Sequence, residues 1–123
     1  MKAYHAQPKE DVILTKAICQ LAKFYSLSGK ELSQIIGISE STVTRLAQGK
    51  KLISPHNKEG EMALLLLRIY RSLNAMVGNS HEKAKLWLNS PNQYFKNTPL
   101  EEMKTISGLI GVLNYLDAMR GKL

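Results

Sequence analysis

Between Ser39 and Arg45 the chain reads SESTVTR. That puts four hydroxyls (Ser39, Ser41, Thr42, Thr44), one carboxylate (Glu40) and one guanidinium (Arg45) within seven residues. Nothing in the run makes a nucleophile and base pair, so the chemistry on offer is recognition and not bond-making. Hydroxyls can reach phosphates or base edges, and arginine can make a bidentate contact to guanine. Ser28, Lys30 and Lys50 flank the run. The first amides of a helix beginning after Ser28, together with Lys30, could grip a phosphate. The candidate DNA-binding set is therefore Ser28, Lys30, Ser39, Glu40, Ser41, Thr42, Thr44, Arg45 and Lys50.

Such a face is useful only on a short helix held clear of its support, and the surrounding residues predict that arrangement. Leu32, Ile35, Ile36, Ile38, Val43 and Leu46 are spaced to share one core across two short helices. Ser33 is small where the helices would cross, and Gly37 falls at the turn, where φ > 0 carries no steric cost. Ser39 is suited to cap the second helix and Gly49 to stop it. Ser28 with Glu31 three residues later has the pattern of a capping box for the first. This is the spacing of a helix-turn-helix, and it resembles the Xre-type helix-turn-helix of phage repressors. The second helix then suits the major groove.

The rest of the chain offers little reactive chemistry. Cys19 is the sole cysteine, so no internal disulfide forms, and it sits in an apolar helical pattern. His5, His56 and His81 are far apart, with no metal-ligand partner at helical spacing. Glu101-Glu102 reads as a helix N-terminus, and no glycine-rich phosphate loop is present. No metal, cofactor or enzymatic activity is expected. The net charge of +7 favours polyanionic partners, but it is spread along the chain and supports nucleic-acid binding less than the motif does. The longest apolar run, Met62 to Leu67, is too short to cross a bilayer. The N-terminus lacks the apolar centre of a signal peptide, so a cytoplasmic location is expected.

Periodicity predicts an all-α fold: an N-terminal helix-turn-helix bundle over residues 1–70, then a small helical module over 71–123. Residues Met1 to Gln7 are expected to fray, with Pro8 at the first position of a helix that runs to about Tyr25. Its buried face would carry Leu14, Ala17, Ile18, Leu21, Phe24 and Tyr25. A polar connector, Leu52 to Asn57, precedes a long helix from about Lys58 to Val77. That helix is apolar around its girth, so it is either central or part of a dimer interface. A short helix from His81 to Asn89 follows. Tyr94 and Phe95 are expected in the core, and Trp87 as packing. Thr98-Pro99-Leu100-Glu101 opens a helix reaching about Ile106. A bend at Ser107-Gly108 leads to a last helix carrying Leu109, Val112, Leu113, Leu116 and Met119 on one face. Gly108 and Gly111 would admit a close neighbour, and Gly121 ends the helix.

The second half carries a further pattern: Ala84 to Asn92 (AKLWLNSPN), Asn97 to Glu101 (NTPLE), then Thr105, Gly108, Val112, Leu113 and Arg120-Gly121. In that order these residues resemble the toxin-binding domain of the Xre/MbcA/ParS antitoxins. The sequence departs from the family pattern at Gln93-Tyr94-Phe95-Lys96, where a small, glycine-containing link is usual. The resemblance implies the antitoxin of a type II toxin–antitoxin system that represses its own operon. Its expected partners are a palindromic operator, a second copy of the chain, and a toxin, commonly a RES-domain protein that consumes NAD. The residues matching the toxin-facing end are Arg120, Gly121, Lys122 and Leu123. An arginine there also suits any plain helix C-terminus. The alternative is a phage-type repressor whose C-terminal half only dimerises.

Overall fold

Helices in this chain begin where a side-chain oxygen can take an otherwise unpaired amide. The computed structural model describes residues 9–121. They form α1 (Glu10–Phe24), α2 (Gly29–Ile36), α3 (Glu40–Ala47), α4 (Lys58–Met76), α5 (His81–Asn89), α6 (Pro99–Glu102) and α7 (Ile106–Gly121). Ser28, Ser39, Asn57, Ser80 and Thr98 cap α2 to α6 through their side chains. Only α1 starts on an uncapped residue, Lys9, but Glu10 and Asp11 in its first turn face the positive end of the helix. The expectations for Met1 to Pro8 lie outside the described residues.

The long helix α4 is the centre of the fold. Ala63, Leu66, Ile69 and Leu73 are fully buried along it. It packs against α1 and α2 on the side of the N-terminal half and against α5 and α7 on the other. This central position accounts for its apolar girth. Leu64 alone among the large apolar residues of α4 stays exposed. The buried residues of both halves form one continuous apolar core.

Several expectations are corrected. On α1 the buried stripe is narrower, with Leu14, Ile18, Leu21 and Tyr25 covered, Ala17 half-buried and Phe24 exposed. The connector before α4 is not merely polar. Ile53 is buried in it, and its amide donates to the buried Thr15 hydroxyl at 2.8 Å. The helix opened by Pro99 ends at Glu102, so the bend falls at Met103–Thr105 and not at Ser107-Gly108. Two side chains explain the shift. Thr105 accepts from the Gly108 amide at 3.1 Å and so caps α7, while Met103 plugs the turn into the core. Gly108 then lies inside the first turn of α7, where a Cβ would come 1.8 Å from the Glu102 carbonyl. Gly111 faces open space and supports no close contact. On α7, Leu109, Val112, Leu113 and Leu116 are buried as spaced, and Met119 is only half-buried. Phe95 packs against the core, but Tyr94 points outward.

Candidate functional site

The crossing of α2 and α3 follows from five local hydrogen bonds and a buried face. Ser28 accepts from the Glu31 amide at 3.0 Å, and Glu31 accepts from the Ser28 amide at 2.9 Å, closing the capping box. Leu32, Ser33, Ile35 and Ile36 are buried on α2. Ser33 turns its hydroxyl onto the Lys30 carbonyl at 2.7 Å, so the small residue at the crossing leaves no polar group unpaired. Gly37 ends α2 with φ +84°, a conformation in which a side chain would be strained. Its amide and that of Ile38 both return to the Ser33 carbonyl.

The polar outer face of α3 is ordered by its own hydrogen bonds. Ser39 accepts from the Thr42 amide at 3.1 Å. Its hydroxyl also lies 3.0 Å from that of Ser41 and 2.8 Å from that of Thr42. Arg45 donates to the Thr42 hydroxyl at 3.3 Å. Thr44 spends its proton on the Glu40 carbonyl at 3.2 Å and offers only its lone pairs outward. Ser39, Glu40, Ser41, Thr44 and Arg45 are exposed, Thr42 is half-buried, and Leu46 on the opposite side is buried. Past the helix, Gly49 takes φ +74° and the Lys50 amide closes on the Arg45 carbonyl at 2.9 Å, a Schellman stop. Ser28, Lys30 and Lys50 are likewise exposed. From Ser28 to Lys51 the chain carries four cations against two carboxylates.

At the C-terminal end of the chain the predicted set divides. Arg120 reaches back from α7 to α4 and donates to Ser72 at 3.0 Å. Ser72 donates to Asp117 at 2.9 Å, and Arg68 meets the other oxygen of that carboxylate at 3.3 Å. Arg120 is therefore tied to the α4–α7 seam through Ser72. Gly121 is the last residue of α7. Lys122 and Leu123 lie outside the described residues. The sequence reading missed the Arg68–Ser72–Asp117 group, because Asp117 lies 49 and 45 residues from the other two.

No group of three or more metal-ligating side chains gathers anywhere among the described residues. Cys19 lines an apolar cavity of about 370 Å³ between α1, α2 and α3, with Leu32, Val43 and Leu46 around it. Burial pushes its thiol up, against the opposing pull of Lys23, so the thiolate is disfavoured there. His81 pairs with the Tyr70 hydroxyl at 3.0 Å and stacks on Phe24, which makes it a packing residue. Among the described residues, no helix is long and apolar enough to cross a membrane.

Two short capped helices crossing at a left-handed glycine, the second with a polar outer face, define a helix-turn-helix protein. The family comparisons agree and extend the assignment. Residues 9–68 match the antitoxin Xre-like helix-turn-helix domain, and residues 72–122 match the antitoxin Xre/MbcA/ParS C-terminal toxin-binding domain. The chain belongs to the Xre/MbcA/ParS antitoxin family. A search among curated proteins found no match.

Proposed function

We propose that this chain is the antitoxin of a type II toxin–antitoxin system. It binds and neutralises a cognate toxin, of the RES-domain, NAD-consuming kind, and represses its own operon by binding operator DNA as a homodimer. Residues 1–70 serve the DNA and residues 71–123 serve the toxin, with α4 common to both. The observation that carries this reading is the pre-ordered hydroxyl and arginine face of α3, built on the same core as a toxin-binding domain. Ser39 to Arg45 would enter the major groove, with Ser28, Lys30 and Lys50 on flanking phosphates. Two copies related by a two-fold axis would present two α3 helices to a palindrome. Arg120 to Leu123 form the toxin-facing end.

The test is co-expression with the protein encoded by the adjacent reading frame, together with binding of the full chain to the DNA upstream of its own gene. Wild type should restore growth and cellular NAD. A chain lacking Arg120 to Leu123 should fail to protect yet shift the operator normally. Protection that survives the deletion removes the tail from the inhibitory surface. Operator binding with no protection by wild type favours a phage-type repressor whose second half only dimerises. Arg45→Ala should weaken operator binding by about 1–3 kcal/mol if the side chain reads a base, and unchanged affinity excludes it from the reading set.

A further inference from the structure

The most exposed tyrosine of the described residues stands where the sequence leaves its family pattern. Tyr94, in the loop between α5 and α6, is 69% exposed, yet it is not loosely held. Its ring lies 5.0 Å from Phe95 and 4.8 Å from Tyr115 of α7, centroid to centroid. Tyr115 in turn stacks on Trp87 of α5 at 6.1 Å. Phe95, Trp87 and Tyr115 pack against the core and form the base on which Tyr94 rests.

The backbone beneath is equally determined. The Tyr94 amide donates to the Asn92 side chain at 2.9 Å, the Lys96 amide to the Asn92 carbonyl at 2.8 Å, and the Asn92 amide to the Asn97 carbonyl at 3.0 Å. Together these hold Lys96 at φ +60°, a region that residues with side chains rarely adopt. A chain that needed only a link here would use glycine. This one keeps a lysine in a glycine conformation, and Tyr94 and Lys96 are both exposed.

Resting on the antitoxin reading above, we propose that Tyr94 on its aromatic base is the anchor by which this chain docks its toxin, and that it sets toxin specificity. Three observations choose that occupant over DNA or a second copy. The loop lies inside the segment matched by the toxin-binding domain. The DNA-facing helix α3 packs on α1 and α2, in the other half. The patch also runs toward the end of α7, because Tyr115 and Met119 are one turn apart on that helix and Gly121 lies only about 9 Å beyond Tyr115 along the axis. Rigid aromatic side chains with few torsions to freeze make effective anchors, since little freedom is lost when they bind. The partner surface that fits is an apolar pocket for the phenol ring with carboxylates on its rim, facing Lys96.

The experiment uses the full-length chain and, as probe, the toxin encoded by the adjacent reading frame, with binding measured by calorimetry. Tyr94→Ala should weaken toxin binding 30-fold or more, while melting temperature and affinity for the upstream DNA stay at wild-type values. Tyr94→Phe should recover most of the toxin affinity. If wild type binds the toxin and Tyr94→Ala binds within twofold of it, the anchor assignment is overturned and the antitoxin reading stands. If Tyr94→Ala loses operator DNA and keeps the toxin, the loop is a nucleic-acid contact and the assignment is equally overturned. If wild type does not bind the toxin at all, the antitoxin reading itself fails.

Discussion

The two halves of the chain cap their helices alike but position them by different means. From α2 to α3 every boundary is fixed by a group a few residues away: Ser28 with Glu31, Gly37 with Ser33, Ser39 with Thr42, Lys50 with Arg45. From α4 to α7 the helix starts are also capped locally, by Asn57, Ser80, Thr98 and Thr105, but the polar bonds that set these helices against their neighbours are distant in sequence. Tyr25 donates to Asn74 across 49 residues, and Ser72 to Asp117 across 45. The helix α3, proposed to read DNA, is thus pre-shaped by local chemistry, whereas the second half acquires its arrangement by packing on α4. A reading face must keep its geometry whether or not a partner is bound. A surface that docks a protein can instead be assembled from several elements.

The hardest test of this contrast is to disturb the element that both halves share. Leu66 is fully buried at the centre of α4, so Leu66→Ala should cost about 2–5 kcal/mol. Because the core is continuous, circular dichroism should still show one thermal transition, lowered for both halves together. Two separate transitions would mean that the halves are independently stable and only share a helix.

Next in size is the bond that joins α1 to α4. The buried Tyr25 hydroxyl donates to Asn74 Oδ1 at 2.7 Å. Tyr25→Phe leaves that acceptor unpaired and should cost about 1–3 kcal/mol. The same residue gives a pH signature. Burial, and secondarily the neighbouring Tyr70, push the Tyr25 phenol well above its ordinary value of 10.0. The folded state therefore holds the proton after the unfolded state has released it. Stability from this group is complete below about pH 10 and falls as pH rises beyond it. Denaturant melts above pH 10 should show that decline in wild type and a shallower one in Tyr25→Phe.

Legibility in the sequence follows the same division. The capping box at Ser28, the turn at Gly37 and the stop at Gly49 could be read because each depends on residues within one helical turn. Pro99 at the first position of α6 was legible for the same reason. The bend before α7 was misplaced because two hydroxyls, Thr105 and Ser107, both stood near a glycine. Only the tight approach of Glu102 to Gly108 selects Thr105 as the cap. Tyr94 was expected inside because it is aromatic and adjacent to Phe95, and nothing local says which of the two faces the core. Of the candidate site, the helix α3, its Ser39 cap and its Gly49 stop could be read. The anchoring of Arg120 to Ser72 could not, since it joins two helices whose register only the packed core sets.

A smaller effect is expected at the cap of the reading helix. Ser39→Ala removes the acceptor for the Thr42 amide and should cost about 1 kcal/mol of stability. Operator affinity should fall as well, because Ser39 also holds the hydroxyls of Ser41 and Thr42 in place. An equal loss of stability with unchanged affinity would separate the cap from the reading face.

The smallest effect belongs to the most conspicuous ion pair of the α4–α7 seam. Arg68 meets Asp117 at 3.3 Å, but the two side chains are 59% and 41% exposed. Water and salt screen such a pair, and holding two flexible side chains together offsets much of the attraction. Arg68→Ala should therefore cost no more than about 1 kcal/mol, and the cost should shrink further in high salt. Asp117 keeps the Ser72 hydroxyl when Arg68 is gone, and Ser72 keeps Arg120, so the helix end stays tied to α4. A larger loss, insensitive to salt, would mean that the seam is held by charge and not by Leu109, Val112 and Leu116 beneath it. The second half would then owe its shape to a polar network and not to packing on α4.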